Sequence, residues 1–450
     1  MKKDELFYTK AVLLHAGLGG LFFFIPFLAK IYGIAIFLWG LGYVIKTQNR
    51  NNEVLLMAAY FTGIDVYLKM LDASFLNEYG KYTVIIFMVL GIFYQGFSKS
   101  AFLYVFFIAL LIPGIYVGVS TLSLEANIRK AIAFNITGPV CLGISALYCF
   151  RRVISLNRLK DVLAMLLFPL VAMLIHIFLY TPNIQEVVTN TQSNFETSGG
   201  FGPNQVSTVL GLAMFVAFAR FLLASSSLTM KLINGFLIIV FAYRCIITFS
   251  RGGMYTGLLM MVLLMMFIYN IVNLKAKTKI MVVASLAVLA GVGIWTYSSL
   301  QTNGMIDKRY SNQSAAGKEK ESQLSGRETL IETELQMFWE NPLLGVGVGR
   351  NKEIRLEETG IRSASHNEVT RMLAEHGSLG LLGLLILFFT PIIVYLRDRT
   401  QIFAIVFMVF WLLTINHAAM RIAAPAFIYA LALLNIKFIN ENNPAALHRE

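Results

Sequence analysis

Long apolar runs separated by short polar connections fill most of this chain and restrict the folds open to it. A helix needs about 17–25 mostly apolar residues to cross the hydrocarbon core of a bilayer, and in lipid only helices and closed barrels satisfy their backbone hydrogen bonds. We therefore predict an all-α fold, a polytopic transmembrane helical bundle of about 12–14 spans. The candidate spans are residues 11–28, 31–45, 54–71, 82–97, 101–119, 132–150, 162–180, 205–222, 232–249, 253–272, 280–298, 377–395, 401–416 and 423–438.

Composition excludes the other broad classes of protein. Of the 450 residues, 57% are hydrophobic and 14% are charged, whereas a soluble globular chain is about half apolar and about a quarter charged. Disorder requires low hydrophobicity and high charge. The net charge of +12 would favour nucleic acid in a soluble protein, but here the basic residues cluster between apolar runs. We predict membrane lipids as partners and no nucleic acid.

The distribution of basic residues predicts how the bundle is oriented. If the N-terminus is cytoplasmic, 19 of the 37 Lys and Arg residues fall on the cytoplasmic side, eight fall on the opposite side, and the other ten lie in one long loop. Basic residues concentrate in short cytoplasmic connections, and long loops contribute little to orientation. Both termini are therefore predicted to be cytoplasmic, and the first apolar run is interpreted as an uncleaved span rather than a signal peptide.

Two polar segments interrupt the apolar pattern, and on this topology both face outward. They are residues 181–204 and residues 299–376. The sequence thus predicts three parts: an N-terminal transmembrane bundle (1–298), a large periplasmic loop (299–376) and C-terminal transmembrane helices (377–450).

The long loop contains one amphipathic pattern, RETLIETELQMFWENP. Its apolar residues have partly helical spacing, and Glu328, Glu332 and Glu334 occupy the other faces, so we predict a helix that ends at Asn341-Pro342. Two placements remain open for this helix, on the membrane surface or packed against the bundle.

The outward loop ends in SASHNEVTRMLAEHGSLGLLGLL, where His366 and Asn367 open a helical stretch near the outer membrane surface. An unperturbed histidine has a pKa of about 6.5, which suits general-base catalysis near neutral pH. His366 is therefore a candidate catalytic base, and the alternative is a surface or capping histidine. His376 is interpreted as part of the helix packing.

Two arginines are candidates for binding a phosphate group. Arg251, in TFSRGGMYTG, lies at the outer edge of two adjacent spans; a guanidinium binds phosphate through two parallel hydrogen bonds, and the neighbouring glycines let a ligand approach. Arg327, in QLSGRETLIETELQ, falls in the first turn of the amphipathic helix, where a cation opposes the helix dipole and a bound anion would offset it. The alternatives are an Arg251 that reaches lipid head groups and an Arg327 that is an ordinary exposed residue.

Further outward residues are candidates for supporting such a site. Arg421, in NHAAMRIAAP, lies beside His417, and Asn204, in GGFGPNQ, either lines the site or belongs to the turn into the next span. The glycine-rich run ENPLLGVGVGR is interpreted as a flexible turn back to the membrane. The outward carboxylates have no recognised metal-binding spacing, so no metal and no cofactor is predicted. Four arginines add positive charge near His366: Arg350, Arg355, Arg362 and Arg371.

Four motifs follow one another around the outward loop: SRG at a span edge, SGR before the amphipathic helix, NPLLGVGVG, and HNEVTRMLAEHGSLG. In this order they resemble the O-antigen ligase/polymerase family, a family of bacterial integral-membrane glycosyltransferases. His366-Asn367 followed by Gly377-x-x-Gly380 is similar to the ligase-type signature. The motifs lie within about residues 195–395.

The resemblance implies a metal-independent enzyme of the inner membrane with a GT-C type fold. Its donor is a glycan carried on a polyprenyl diphosphate and presented on the periplasmic side. In ligases of lipopolysaccharide biosynthesis the acceptor is a lipid A–core sugar hydroxyl, and in polymerases it is another lipid-linked glycan. His366 then matches the base that activates the acceptor, and Arg251 and Arg327 match the basic residues that bind the diphosphate.

Several functions remain open at this point. An O-antigen ligase is the first interpretation, and a repeat-unit polymerase for O-antigen or exopolysaccharide is the alternative of the same family. A transporter of lipid-linked glycans belongs to another class; it requires charged residues that line the spans, of which Asp65 is the main carboxylate. A structural scaffold would tolerate substitution of His366, Arg251 and Arg327.

Overall fold

The computed structural model describes residues 3–320, 328–360, 363, 365–417 and 419–437. Within these residues the chain forms eighteen α-helices and one two-stranded sheet. In chain order the helices are α1 (Lys3–Phe24), α2 (Phe27–Thr47), α3 (Glu53–Met70), α4 (Tyr79–Gln95), α5 (Phe102–Thr121), α6 (Ile128–Cys149), α7 (Leu156–Tyr180), α8 (Ile184–Val187), α9 (Pro203–Leu223), α10 (Leu228–Ile247), α11 (Arg251–Ile271), α12 (Leu274–Gln301), α13 (Met305–Tyr310), α14 (Glu328–Glu340), α15 (Asn351–Thr359), α16 (Glu368–Arg397), α17 (Ile402–Thr414) and α18 (Ala423–Leu431).

Every predicted span has a helix at its position, and the all-α polytopic bundle is confirmed. In the described part of the chain, ten helices are long and apolar enough to cross a membrane: α1, α2, α5, α6, α7, α9, α10, α11, α12 and α16. The other four predicted runs correspond to α3, α4, α17 and α18. The prediction of one helix over 423–438 is wrong in its length, because α18 ends at Leu431 and the chain continues into a strand at Asn435–Lys437.

The connections between helices collect at two ends of the bundle, because consecutive spans run in alternate directions. We call the first the loop end. Its described residues are 181–202, 248–250, 302–320, 328–360, 363, 365–367, 415–417 and 419–422. Neighbouring connections are joined there, for example by hydrogen bonds from the Asn194 amide to the Thr248 carbonyl (3.1 Å) and from the Arg309 Nε to the Phe249 carbonyl (2.9 Å).

We call the opposite end the strand end, because it carries the only sheet found among the described residues. Strand β1 (Val153–Ser155) pairs in parallel with β2 (Asn435–Lys437). The Arg151 amide donates to the Leu433 carbonyl at 2.8 Å, so the end of α6 and the end of α18 are held together. All residues predicted for the functional site that the structure describes lie at the loop end instead.

The predicted amphipathic helix in the long loop is observed as α14, which ends at Glu340, directly before Asn341-Pro342. Its buried Met337 packs with Val346 and Ala374, the latter on α16, so the helix is packed against the bundle. The prediction that Glu334 lies on a polar face is wrong. This side chain is almost completely buried, since buried partners surround its carboxylate.

The glycine-rich run is packed between α5 and α16, which corrects its interpretation as a flexible turn. The amides of Val346 and Val348 donate to carbonyls of α16 and α5, at 2.8 and 2.9 Å. Gly347 has a φ of 93°, and a Cβ there would lie 2.4 Å from the backbone nitrogen of Gly118. Only glycine allows the backbone to pass this close to α5 with a positive φ.

Helix α16 begins earlier than the predicted span 377–395. It starts at Glu368 and bends at Gly377, whose φ of 59° and ψ of −139° are not helical. A Cβ at Gly377 would lie 2.6 Å from the Leu343 carbonyl oxygen, so the end of the long loop presses against this bend. The first turns of α16 are consequently held at the loop end, directly after His366.

Candidate active site at the loop end

The connection 415–422, between α17 and α18, is the centre of the polar contacts at the loop end. The Ile415 carbonyl accepts from the Glu368 amide (2.8 Å), and the Met420 carbonyl accepts from the Lys81 Nζ (3.3 Å). The Arg421 carbonyl accepts from the Lys69 Nζ at 3.2 Å. Helices α3, α4 and α16 thus hold the backbone of this short connection at Ile415, Met420 and Arg421.

Asp65 has a structural role in this arrangement. Its carboxylate pairs with Lys69 at 3.1 Å and accepts a hydrogen bond from the Ala423 amide at 2.9 Å. The group therefore anchors the start of α18 to α3. This is the carboxylate on which the transporter interpretation depends, and its contacts explain its presence without a transport pathway.

His366 lies immediately before the N-cap of α16. The Asn367 side chain accepts from the amides of Val369 (2.8 Å) and Thr370 (3.4 Å), so Asn367 caps the helix. His366 is half-buried and lines a small pocket together with Asn416. The histidine is therefore outside the helix, in a small pocket at the loop end.

A buried network fixes the residues around His366. Glu334 forms an ion pair with Arg355 at 2.5 Å and accepts from the hydroxyls of Ser365 (3.1 Å) and Thr370 (2.6 Å). Burial raises the pKa of the Glu334 carboxyl, while the Thr370 hydroxyl and Arg355 favour its ionised form. Helix α14 thus holds the backbone on both sides of His366.

Arg421 approaches the same segment from the other side. Its guanidinium donates a hydrogen bond to the Ser365 carbonyl, next to His366. The structure therefore brings together three of the predicted site residues, His366, Asn367 and Arg421, although the last lies 54 positions further along the chain than Asn367. This contact joins the connection 415–422 to the end of the long loop.

The other arginines predicted to add positive charge near His366 are neutralised where the structure describes them. Arg350 pairs with Glu353, Arg355 with Glu334, and Arg371 with Glu368 and Glu375. Arg371 and Arg355 are also almost completely buried. That part of the prediction is wrong, because each guanidinium has a carboxylate partner.

Arg251 is the first residue of α11, two residues before a close backbone contact between this helix and α9. The preceding Ser250 donates its hydroxyl proton to the Asn204 side chain at 2.8 Å, so the structure also brings Asn204 to this position. A Cβ at Gly253 would lie 2.0 Å from the Ser207 carbonyl oxygen. The glycine lets the two helices pack backbone to backbone, and this contact fixes the start of α11.

Two cations that the sequence analysis missed lie near Arg251. The pKa of the Lys320 ammonium is lowered first by partial burial and then by repulsion from Arg309 and Arg251. The Arg309 side chain is buried and donates to the Phe249 carbonyl, two residues before Arg251. We call Arg251, Arg309 and Lys320 the basic cluster. No spacing in the sequence indicates the basic cluster, because Arg309 and Lys320 come close to α11 only where the chain turns back after α12.

His417 links the basic cluster to the connection that carries Arg421. Its Nε2 is 3.0 Å from the Thr208 hydroxyl on α9, and its Nδ1 is 3.0 Å from the Leu413 carbonyl. A Cβ at Gly252 would lie 2.7 Å from the imidazole, so α11 also packs on this ring. Arg251 and Arg421 are therefore connected through His417, which packs on Gly252 next to Arg251 and lies in the same connection as Arg421.

The remaining predicted residues are placed as follows. Arg327 and Arg362 lie outside the residues that the structure describes. His376 is completely buried in α16 and packs against Gly114 of α5, in agreement with a packing role. Among the described residues, no three His, Cys, Asp or Glu side chains lie close enough together to hold a metal ion.

Glu334→Ala is expected to lower the free energy of unfolding by about 3–5 kcal/mol. The change leaves Arg355 buried without its anionic partner and removes the acceptor of Ser365 and Thr370. Thermal and denaturant unfolding of the purified variants measure the loss. Glu332→Ala, an exposed carboxylate on the same helix, is the control and is expected to change stability by less than about 0.5 kcal/mol. Equal stability of the two variants would show that the Glu334 network contributes nothing.

The fold and the site together define a class of protein. It is a multi-pass α-helical membrane protein with a polar site at one end of its bundle, in which an imidazole and several cations lie around one short connection.

Comparison with known families identifies the class further. A family model described as O-antigen ligase matches residues 236–385, a third of the chain. The match confirms the resemblance to the O-antigen ligase/polymerase family over this region. It contains the basic cluster, α14 and His366, while Asn204, His417 and Arg421 lie outside it. No curated protein matches the chain.

Proposed function

We propose that this protein is an O-antigen ligase, which transfers a glycan from a polyprenyl diphosphate to a sugar hydroxyl of lipid A–core. The observation that carries the proposal is the placement of His366 and the basic cluster at one end of the bundle, on either side of the connection 415–422. The O-antigen ligase match over residues 236–385 supports the same class of reaction.

In the proposed reaction, the acceptor oxygen attacks the anomeric carbon while His366 takes its proton. The bond between that carbon and the phosphate oxygen breaks, and its electron pair stays on the departing lipid diphosphate. The leaving group gains negative charge, which fixed cations stabilise most strongly where water is excluded. Attack from the face opposite the diphosphate inverts the anomeric centre, and NMR of the product linkage tests this.

The basic cluster is proposed to hold the diphosphate. Arg251 and Arg309 supply planar guanidinium groups that suit phosphate oxygens, and Lys320 adds a third charge. Arg327 is proposed to join them, as the resemblance implies. A diphosphate bound among these cations is attracted to all three of them.

The supporting residues are proposed to hold His366 and the basic cluster in fixed positions relative to each other. Arg421 holds the Ser365 carbonyl beside His366, and Asn367 fixes the start of α16. Asn204 orients Ser250 next to Arg251. Arg362 is proposed to supply further positive charge beside His366.

We further propose that the loop end faces the periplasm and that both termini are cytoplasmic. The excess of Lys and Arg in the connections of the strand end supports this orientation. Labelling of single cysteines in intact cells tests it. Cysteines placed in 181–202 should react with a membrane-impermeant maleimide, and cysteines placed in 224–227 should react only after permeabilisation.

A transfer assay with purified protein tests the proposed function. The donor is a glycan on undecaprenyl diphosphate, and the two acceptors are lipid A–core and a second lipid-linked repeat unit, each with and without a chelator. A ligase forms product on lipid A–core, and the chelator leaves the rate unchanged. Longer glycan on the lipid carrier alone would instead identify a repeat-unit polymerase.

The same preparation in liposomes distinguishes the transporter. Movement of the lipid-linked glycan across the bilayer, with no product on either acceptor, would replace the proposed transfer by transport.

Loss of transfer activity with the chelator would exclude the account in which cations of the chain alone stabilise the leaving group.

A further inference from the structure

The strand end contains a cavity that the proposed transfer reaction does not use. It lies between the start of α5, the end of α16 and the chain segment after α18, and its volume is about 510 Å³. Small-molecule sites commonly have volumes of about 300–1,000 Å³, so the cavity can hold the head group of a lipid. We call it the arginine cavity, after Arg151 and Arg397 on its wall.

Both arginines are exposed, and neither has an ion-pair partner among the residues that the structure describes. Asp398 also lines the cavity, but its carboxylate accepts from Thr400 and from the Gln401 side chain at 2.8 Å. Two cations therefore face one anion that is already hydrogen-bonded. The cavity wall carries an excess of positive charge, which attracts an anionic group.

Arg151 is held in an unusual backbone conformation. Its φ of 56° lies in the left-handed region, which a residue with a Cβ adopts at a cost. The Leu433 carbonyl fixes its amide at 2.8 Å, and the pairing of β1 with β2 begins two residues later. The guanidinium is thus presented from a rigid turn, and such local strain is concentrated at binding sites.

The rest of the wall is apolar and continuous with the surface of the membrane-spanning helices. Leu103 on α5 and Ile393 on α16 line the cavity and are 37% and 45% exposed. Phe106 and Phe389, on the same two helices, are also exposed. A ligand in this position meets cations at the end of the bundle and apolar side chains along its side, which is the polarity of a phospholipid.

We infer that the arginine cavity binds the phosphodiester head group of an anionic phospholipid from the membrane leaflet at the strand end. Arg151 and Arg397 bind the phosphate oxygens, and the acyl chains extend along α5 and α16. The site is separate from the loop end and does not depend on the proposed glycan transfer.

Native mass spectrometry of the detergent-solubilised protein tests the inference, with phosphatidylglycerol and phosphatidylcholine as the probes. Arg151→Asn combined with Arg397→Gln removes both charges, and asparagine tolerates the left-handed conformation at position 151. The matched control is Lys46→Gln combined with Arg50→Gln, which removes two exposed charges at the same end, outside the cavity.

The wild type and the control are expected to retain phosphatidylglycerol in preference to phosphatidylcholine. The Arg151/Arg397 variant should bind phosphatidylglycerol about 10- to 30-fold more weakly, since each cation near an anionic lipid contributes about one kcal/mol. Inorganic phosphate, which has no acyl chains, should not displace the lipid. Unchanged binding in the variant, an equal loss in the control, or displacement by inorganic phosphate would each overturn the inference.

Discussion

His366→Ala is expected to lower the turnover of glycan transfer by about 10²–10⁴-fold, which is the usual contribution of a positioned general base. The imidazole lies before the capped start of α16, in a small pocket at the loop end. Alanine leaves the acceptor hydroxyl without a group to take its proton. The single-turnover rate of transfer from a lipid-diphosphate glycan, at saturating acceptor, measures the effect.

The fold is expected to survive this change, because the capping of α16 and the Glu334 network do not use the imidazole. Thermal unfolding measures what the other contacts of the imidazole contribute to stability. Asn416→Ala, which alters the other side of the same pocket, is the control and should retain most of the activity. Since a general base must be unprotonated, wild-type activity should fall toward acidic pH, and the residual activity of the variant should not follow that profile. Full activity of the variant would exclude His366 as the base.

Arg251→Gln is expected to lower the rate of transfer by about 10²–10³-fold, the effect commonly seen when one group that stabilises developing charge is removed. The amide retains hydrogen-bonding capacity but loses the charge. Arg251→Lys should give an intermediate rate, because an ammonium keeps the charge and lacks the planar fork of a guanidinium. The donor dissociation constant and the single-turnover rate should be measured separately, since the leaving group gains charge only in the transition state.

A double-mutant cycle tests whether Arg251 and Arg309 act on one diphosphate. Residues that share a ligand give non-additive effects, so adding Arg309→Lys to Arg251→Lys should cost less than the sum of the two single changes. Lys30→Gln, which removes an exposed cation near the start of α2 at the loop end, is the matched control and should leave the rate unchanged. Strict additivity would show that Arg309 does not act on the diphosphate. An Arg251→Gln variant with an unchanged rate of transfer would show that the basic cluster takes no part in catalysis.

The His366 side of the candidate site was accessible from the sequence because its signals are local. His366 and Asn367 stand next to each other before an apolar stretch, and an asparagine in that position is a common helix cap. Arg251 was found in the same way, from glycine neighbours at the edge of two apolar runs. The structure adds that His417 joins these two segments, which no local pattern indicates.

The basic cluster and the Glu334 network were not accessible in this way. Arg309 and Lys320 reach Arg251 only because the chain turns back after α12, so their proximity depends on a long-range contact. Glu334 was assigned to a solvent-facing side because a carboxylate normally faces water. It is buried because Arg355, 21 residues further along, supplies an opposite charge that compensates the loss of hydration.

The sequence by itself determined the class of this protein, the positions of its helices and the candidate histidine and arginine. The physical reason is that the length and periodicity of apolar runs are local properties, and a bilayer turns them directly into helices. Only the tertiary structure decided which cations share a site, which arginines are neutralised, and that the connection 415–422 joins the two halves of the site. Those outcomes depend on pairs of residues distant along the chain, and burial and charge neutralisation act on such pairs only after the helices have packed.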